Sequence, residues 1–136
     1  MKRVLLLEDE FYRYEKLVHA PVQVFWAKNE YEASQLLKAG PYDIMIWDRD
    51  LGAHYSADEF VKRLDLSKVK DHVVWSWNKE EREKLASMIS DHVSMSVYDR
   101  LDHGIVVAPF GPEFYELFAK MVGYDQQEIA EKYEGI

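Results

Sequence analysis

A chain of 136 residues has the length of one domain and can bury roughly two thirds of the surface it exposes when unfolded. With 48% hydrophobic and 14% aromatic residues it is neither disordered nor fibrous, and the lack of cysteine excludes disulfides and thiolate metal sites, as suits a reducing cytoplasm. A formal net charge of -8 speaks against binding long duplex nucleic acid, whose affinity comes from many lysine and arginine contacts, but allows a phosphate received through a divalent cation.

The first apolar run, Arg3 to Leu7, is closed by Glu8-Asp9-Glu10. It predicts a strand rather than a signal peptide, and no stretch approaches membrane-spanning length. Phe11, Tyr14, Leu17 and Val18 then recur on one helical face, and Val22 to Ala27 is rich in strand formers. Asn29-Glu30-Tyr31-Glu32 has the form of a capping box, opening a helix with Ala33, Leu36 and Leu37 on its apolar face and ending at Gly40-Pro41. Tyr42 to Trp47 is a short apolar run that predicts a central strand covered on both faces, and it empties directly into Asp48-Arg49-Asp50-Leu51-Gly52.

Ser56-Ala57-Asp58-Glu59 is a second capping-box pattern and predicts a third helix through Phe60, Val61 and Leu64. His72 to Trp77 predicts a fourth strand, and Asn78-Lys79-Glu80-Glu81 caps a helix that buries Leu85, Met88 and Ile89. Val93, Met95 and Val97 alternate with Ser94, Ser96 and Tyr98, as in a fifth strand near a sheet edge. Ile105 to Phe110 is a candidate extra strand. Pro112 stands where a helix has its first residue, Phe114, Leu117, Phe118 and Met121 read as core, and a short C-terminal helix from Asp125 presents Ile129 and Tyr133. The alternation predicts one α/β domain over 1–136, with its core in 2–98 and a divergent region in 99–136. Its architecture is a three-layer sandwich around a doubly wound, mainly parallel five-stranded sheet of order 2-1-3-4-5.

Ligands of such sheets bind beyond the carboxyl ends of the strands. Glu8 and Asp9 end strand one, Asp48 and Asp50 end strand three, and Ser76 with Asn78 ends strand four, so these residues are expected to be neighbours. Converging carboxylates repel unless a hard cation lies among them, which points to Mg²⁺ on Glu8, Asp9 and Asp48, with a phosphate oxygen completing the shell and Ser76 donating to it. Arg49 reads mainly as a neutraliser of nearby carboxylates; with Asn78 and Lys79 it is also a candidate anion contact. The plainer alternatives are that Asp48 and Asp50 only form a turn and a cap, and that Glu8 and Asp9 only favour the positive end of a helix. His54 is a lone loop histidine, while His19, His72, His92 and His103 fit no ligand spacing. Trp75 and Trp77 read as packing unless Trp75 faces the site, where it could stack on a base.

From Arg3 to about Tyr98 the pattern resembles the receiver domains of two-component response regulators: an acidic pair after strand one, Tyr42-Asp43-Ile44-Met45-Ile46-Trp47-Asp48 at strand three, and the hydroxyl of Ser76 after strand four. The resemblance implies a receiver or flavodoxin-like fold, phosphoryl transfer to Asp48, and Mg²⁺ held by Asp9 and the backbone carbonyl at Asp50. It also implies a lysine at the end of strand five, where this chain has Tyr98-Asp99-Arg100, so that Arg100 and Lys79 are the candidate replacements. The phrases Asp48-Arg49-Asp50-Leu51-Gly52 and Trp75-Ser76-Trp77-Asn78 resemble most closely the cyclic-phosphate-processing receiver-like family of bacteria and phages, with both histidines of that family replaced.

Three functions follow as expectations. The leading one is a stand-alone Mg²⁺-binding domain for a phosphate-bearing small molecule or RNA end, a cyclic-phosphate phosphoesterase by resemblance, with Asp48, Asp50 and Ser76 as its reacting groups. The second is a signalling module phosphorylated on Asp48. The third is a non-catalytic, phage-type module that binds a protein partner.

Overall fold

The computed structural model describes residues 1–18, 22–52, 55–76 and 78–93, together with 97–98, 105–108 and 118. Four strands form the centre: β1 (Lys2–Leu7), β2 (Val22–Ala27), β3 (Tyr42–Asp48) and β4 (Val69–Trp75). Among the described residues three helices accompany them: α1 (Phe11–Val18), α2 (Glu30–Lys38) and α3 (Lys79–Val93). Two short strands, β5 (Val97–Tyr98) and β6 (Ile105–Ala108), complete a sheet of order β2-β1-β3-β4-β6-β5 in which every pairing is parallel.

The central strands are buried because they are apolar on both faces of the pleat. Leu5, Leu7, Met45, Trp47 and Val74 join one core cluster with Ala33 and Leu37 of α2 and Leu85, Ala86 and Ile89 of α3. The alternate positions, Val4, Leu6, Ile44, Ile46 and Val73, are also buried, as are Leu17 of α1 and Phe118, and all of these stand outside that cluster. No helix among the described residues is long and apolar enough to cross a membrane.

Capping explains where α2 and α3 begin. Asn29 Oδ1 accepts from the backbone N–H of Glu32 at 2.9 Å, while Glu32 Oε1 reaches one residue further back than a capping box requires, to the N–H of Lys28. Asn78 Oδ1 accepts from the N–H of Glu81 at 3.1 Å. Of the stripe expected on α1, only Leu17 is fully buried; Phe11 and Val18 are exposed, and Tyr14 stacks on Trp26 at a centroid distance of 4.6 Å.

Two expectations are corrected. The third helix, opened by Ser56, is replaced by two 3-10 turns, Ala57–Glu59 and Val61–Arg63, and the Ser56 side chain makes no capping bond. Ser56 is instead extended and bridged to Asp50, and Phe60 leaves helical geometry at φ -132° as its ring is buried. Buried Ala57, Phe60, Val61 and Leu64 keep the i, i+3, i+4, i+7 spacing of an α-helical face, so the apolar pattern carries no sign of the break at Phe60. The second correction concerns the strand beside β4. Ile105–Ala108 occupies that position, paired with His72–Trp75, and Val97–Tyr98 lies outside it. A continuous apolar run suits a central place, and an alternating one suits an edge. The helix that precedes β5 runs on to Val93, which the sequence pattern had assigned to the strand.

Candidate functional site

Sheet register brings the acidic residues together. Leu7 is opposite Trp47, and Asp48 is opposite Trp75, so the residues at or just past these ends, Glu8, Asp9, Asp48 and Ser76, emerge at one edge. One carboxylate oxygen from each of Glu8, Asp9 and Asp48 lies within 4.8 Å of the other two. Ligands of an octahedral Mg²⁺ stand roughly 3 Å apart when adjacent and roughly 4.2 Å when opposite, so the three side chains would draw together around the ion. The donor set is all oxygen and fits a hard divalent cation.

A cleft of about 320 Å³ opens over this cluster, lined by Asp9, Glu10, Arg13, Asp48, Asp50, Gly52, Trp75 and Ser76. Glu8 does not line it and is fully buried, while Asp48 is 3% exposed and Ser76 5%. Glu8 is held at both ends: its carboxylate accepts from the N–H of Glu10 at 3.0 Å, and its backbone carbonyl accepts from the Trp26 indole at 2.6 Å. Asp48 Oδ1 accepts from the N–H of Asp50 at 3.3 Å. Gly52 turns the chain away from the cleft at φ +119°, a conformation that disfavours any side chain.

Sequence reasoning missed Arg13. Its Nη1 stands 3.2 Å from Glu8 Oε2 and 3.3 Å from Asp48 Oδ2, between two of the three candidate ligands. A signal for it exists: side chains in a helix lean toward its N-terminus, so a long basic residue in the first turn of α1 reaches back over the acidic loop before it.

Burial is the largest influence on both inner carboxyls and raises both above the ordinary carboxylate range, Glu8 to about 7. For Asp48 the charge of Glu8 and the hydrogen bond between the two carboxyls raise it further, to about 10, and Arg13 only partly offsets this. The pair therefore retains a shared proton through neutral pH. A cation at the cluster would expel that proton.

The other expected site residues are arranged differently. Arg49 is engaged with Asp50 at 3.0 Å, Asp58 at 3.2 Å and Glu81 at 3.2 Å, joining the loop after β3 to α3. Asn78 caps α3 and donates its N–H to Ser76 Oγ at 3.4 Å. Lys79 is exposed, 4.0 Å from Glu83, and neither it, Asn78 nor Arg49 lines the cleft. Trp75, though nearly fully buried, does line it. Trp77, His54, Asp99, Arg100 and the expected helices after Pro112, apart from Phe118, lie outside the described residues.

No family model and no curated protein matches the sequence. Solved structures do. The chain is similar to the response regulator protein TrrA from Thermotoga maritima, solved in complex with Mg²⁺-BeF, with TM-score 0.59 and 23% identity over 89% of this chain and 99% of that one. It is also similar to the chemotaxis protein CheY4 of Vibrio cholerae, with TM-score 0.59 and 20% identity over 95% and 98% of the two chains. A signal receiver domain from Vibrio parahaemolyticus matches with TM-score 0.55 and 14% identity over 99% and 98%. At these identities the likeness is one of architecture: this chain has the fold of response-regulator receiver domains.

Proposed function

We propose that the chain is a receiver-type signalling module that accepts a phosphoryl group on Asp48 with the help of a divalent cation. The observation that carries this reading is the approach of Glu8, Asp9 and Asp48 to within 4.8 Å beneath a cleft also lined by Ser76. Mg²⁺ would be held by these three carboxylates and would neutralise charge on the incoming phosphate. The Asp48 carboxylate oxygen attacks the phosphorus of a small acyl phosphate, the bond from phosphorus to the acyl oxygen breaks, and the carboxylate of the donor leaves. Ser76, which lines the same cleft, would donate a hydrogen bond to the transferred group. The altered cleft is then read by a protein partner.

The similar solved structures favour this reading over the cyclic-phosphate phosphoesterase, for which neither they nor the cleft provides support. Among the described residues that line the cleft there is no histidine to carry a proton near neutral pH. The bridge from Arg13 to Glu8 and Asp48 favours a second reading, a protein-binding module whose acidic seat is neutralised internally and needs no phosphate.

The test is incubation with acetyl phosphate and Mg²⁺, followed by intact-mass measurement. A single phosphoryl adduct that hydroxylamine removes, and that Asp48→Asn does not form, supports phosphoacceptance. No adduct on the wild type, or an equal adduct on Asp48→Asn, overturns it in favour of the second reading.

A further inference from the structure

Arg13 is the only cationic side chain among the described residues lining the cleft, and it stands where an ion would. Its Nη1 uses oxygens of Glu8 and Asp48, at 3.2 and 3.3 Å, that a divalent cation would also require. A guanidinium and a metal ion are like charges competing for the same lone pairs, so occupation by one displaces the other. The same side chain also touches two aromatic neighbours, one of which lines the cleft. Arg13 Nε donates to the Tyr12 hydroxyl at 3.0 Å, and its guanidinium carbon lies 5.4 Å from the Tyr12 ring and 5.9 Å from the Trp75 ring. Trp75 and Ser76 line the same cleft as Asp48.

We propose that Arg13 is the residue that fixes the phosphoryl group: it serves as internal counter-ion to Glu8 and Asp48 and, once a divalent cation takes those oxygens, turns its planar fork onto the phosphoryl oxygens on Asp48. This rests on the phosphoacceptor reading. A guanidinium suits the task because it offers two parallel donors to a tetrahedral anion and stays charged in a partly buried place.

Two fluorescence titrations on the full chain test the exchange, using Trp47 and Trp75 as reporters: Mg²⁺ alone, then beryllofluoride at saturating Mg²⁺. Arg13→Ala should bind Mg²⁺ about tenfold more tightly, because its competitor is gone. It should bind beryllofluoride about ten- to a hundredfold more weakly, the weight of a charge-assisted hydrogen bond. Arg13→Lys should recover part of the beryllofluoride affinity, and Arg13→Gln, which keeps most of the bulk, should follow Arg13→Ala. A structural role would weaken both titrations together, and that result overturns the proposal. So does unchanged or tighter beryllofluoride binding by Arg13→Ala. If the neutral variants bind both ligands and the wild type neither, Arg13 is only a plug and the proposal falls. If every variant binds Mg²⁺ but none binds beryllofluoride, the phosphoacceptor reading itself has failed.

Discussion

Inside the core, the Trp47 indole donates to His72 Nδ1 at 3.0 Å, which fixes the imidazole as the neutral tautomer with its proton on Nε2. Nε2 is buried without a partner among the described residues, and burial holds the His72 pKa down to about 3. Unfolded chain protonates this histidine near pH 6.5 while the native state resists until about 3, so His72 makes stability fall as pH drops through that window, by about 1.4 kcal/mol per unit. Glu8 and Asp48 act in the opposite sense. Their native carboxyls keep protons that the unfolded chain has lost, so their contribution is complete below about pH 4 and is lost as pH rises through the raised native values. The windows overlap between about pH 4 and 6.5, where the histidine and the two carboxyls oppose one another, so substitution separates them. In urea unfolding between pH 4 and 8, His72→Phe should steepen the decline of stability with rising pH, and Asp48→Asn should flatten it.

Cation binding at Glu8, Asp9 and Asp48 must expel the shared proton. Mg²⁺ affinity should therefore rise from pH 6 to pH 9, and the rise in melting temperature on adding Mg²⁺ should be greater at the higher pH. Calorimetry in two buffers of different ionisation enthalpy would detect the released proton directly. A pH-independent affinity would contradict this cluster chemistry.

Gly52 has open space around the position of a Cβ, yet its φ is +119°. Gly52→Ala should therefore cost about 1 to 3 kcal/mol from backbone strain alone, with no clash to relieve by repacking. A urea midpoint equal to that of the wild type would mean that the loop after β3 relaxes to a different turn.

The two capping-box patterns are expected to behave differently under the same substitution. Asn29→Ala should cost about 1 kcal/mol, since it removes the acceptor for the Glu32 N–H. Ser56→Ala should change stability by less than about 0.5 kcal/mol, because its side chain caps nothing. Chemical denaturation of the two variants in parallel checks the difference.

The sequence by itself determined the four central strands, the capped starts of α2 and α3, and which strand ends carry carboxylates. Those features are local: continuous apolar runs demand burial on both faces, and Asn29 and Asn78 bond to N–H groups three residues away. Tertiary structure alone decided the rest. Ser56 lost its expected helix to a bridge with Asp50 and to the burial of Phe60, and the place beside β4 went to residues distant in the chain. It also decided the charge state of the site. Only register across β1 and β3 brings Glu8 and Asp48 close enough to share a proton, and only the path of α1 lays Arg13 over both. Coulomb interaction depends on distance through space, and a one-dimensional pattern carries that distance only when the partners are neighbours in sequence.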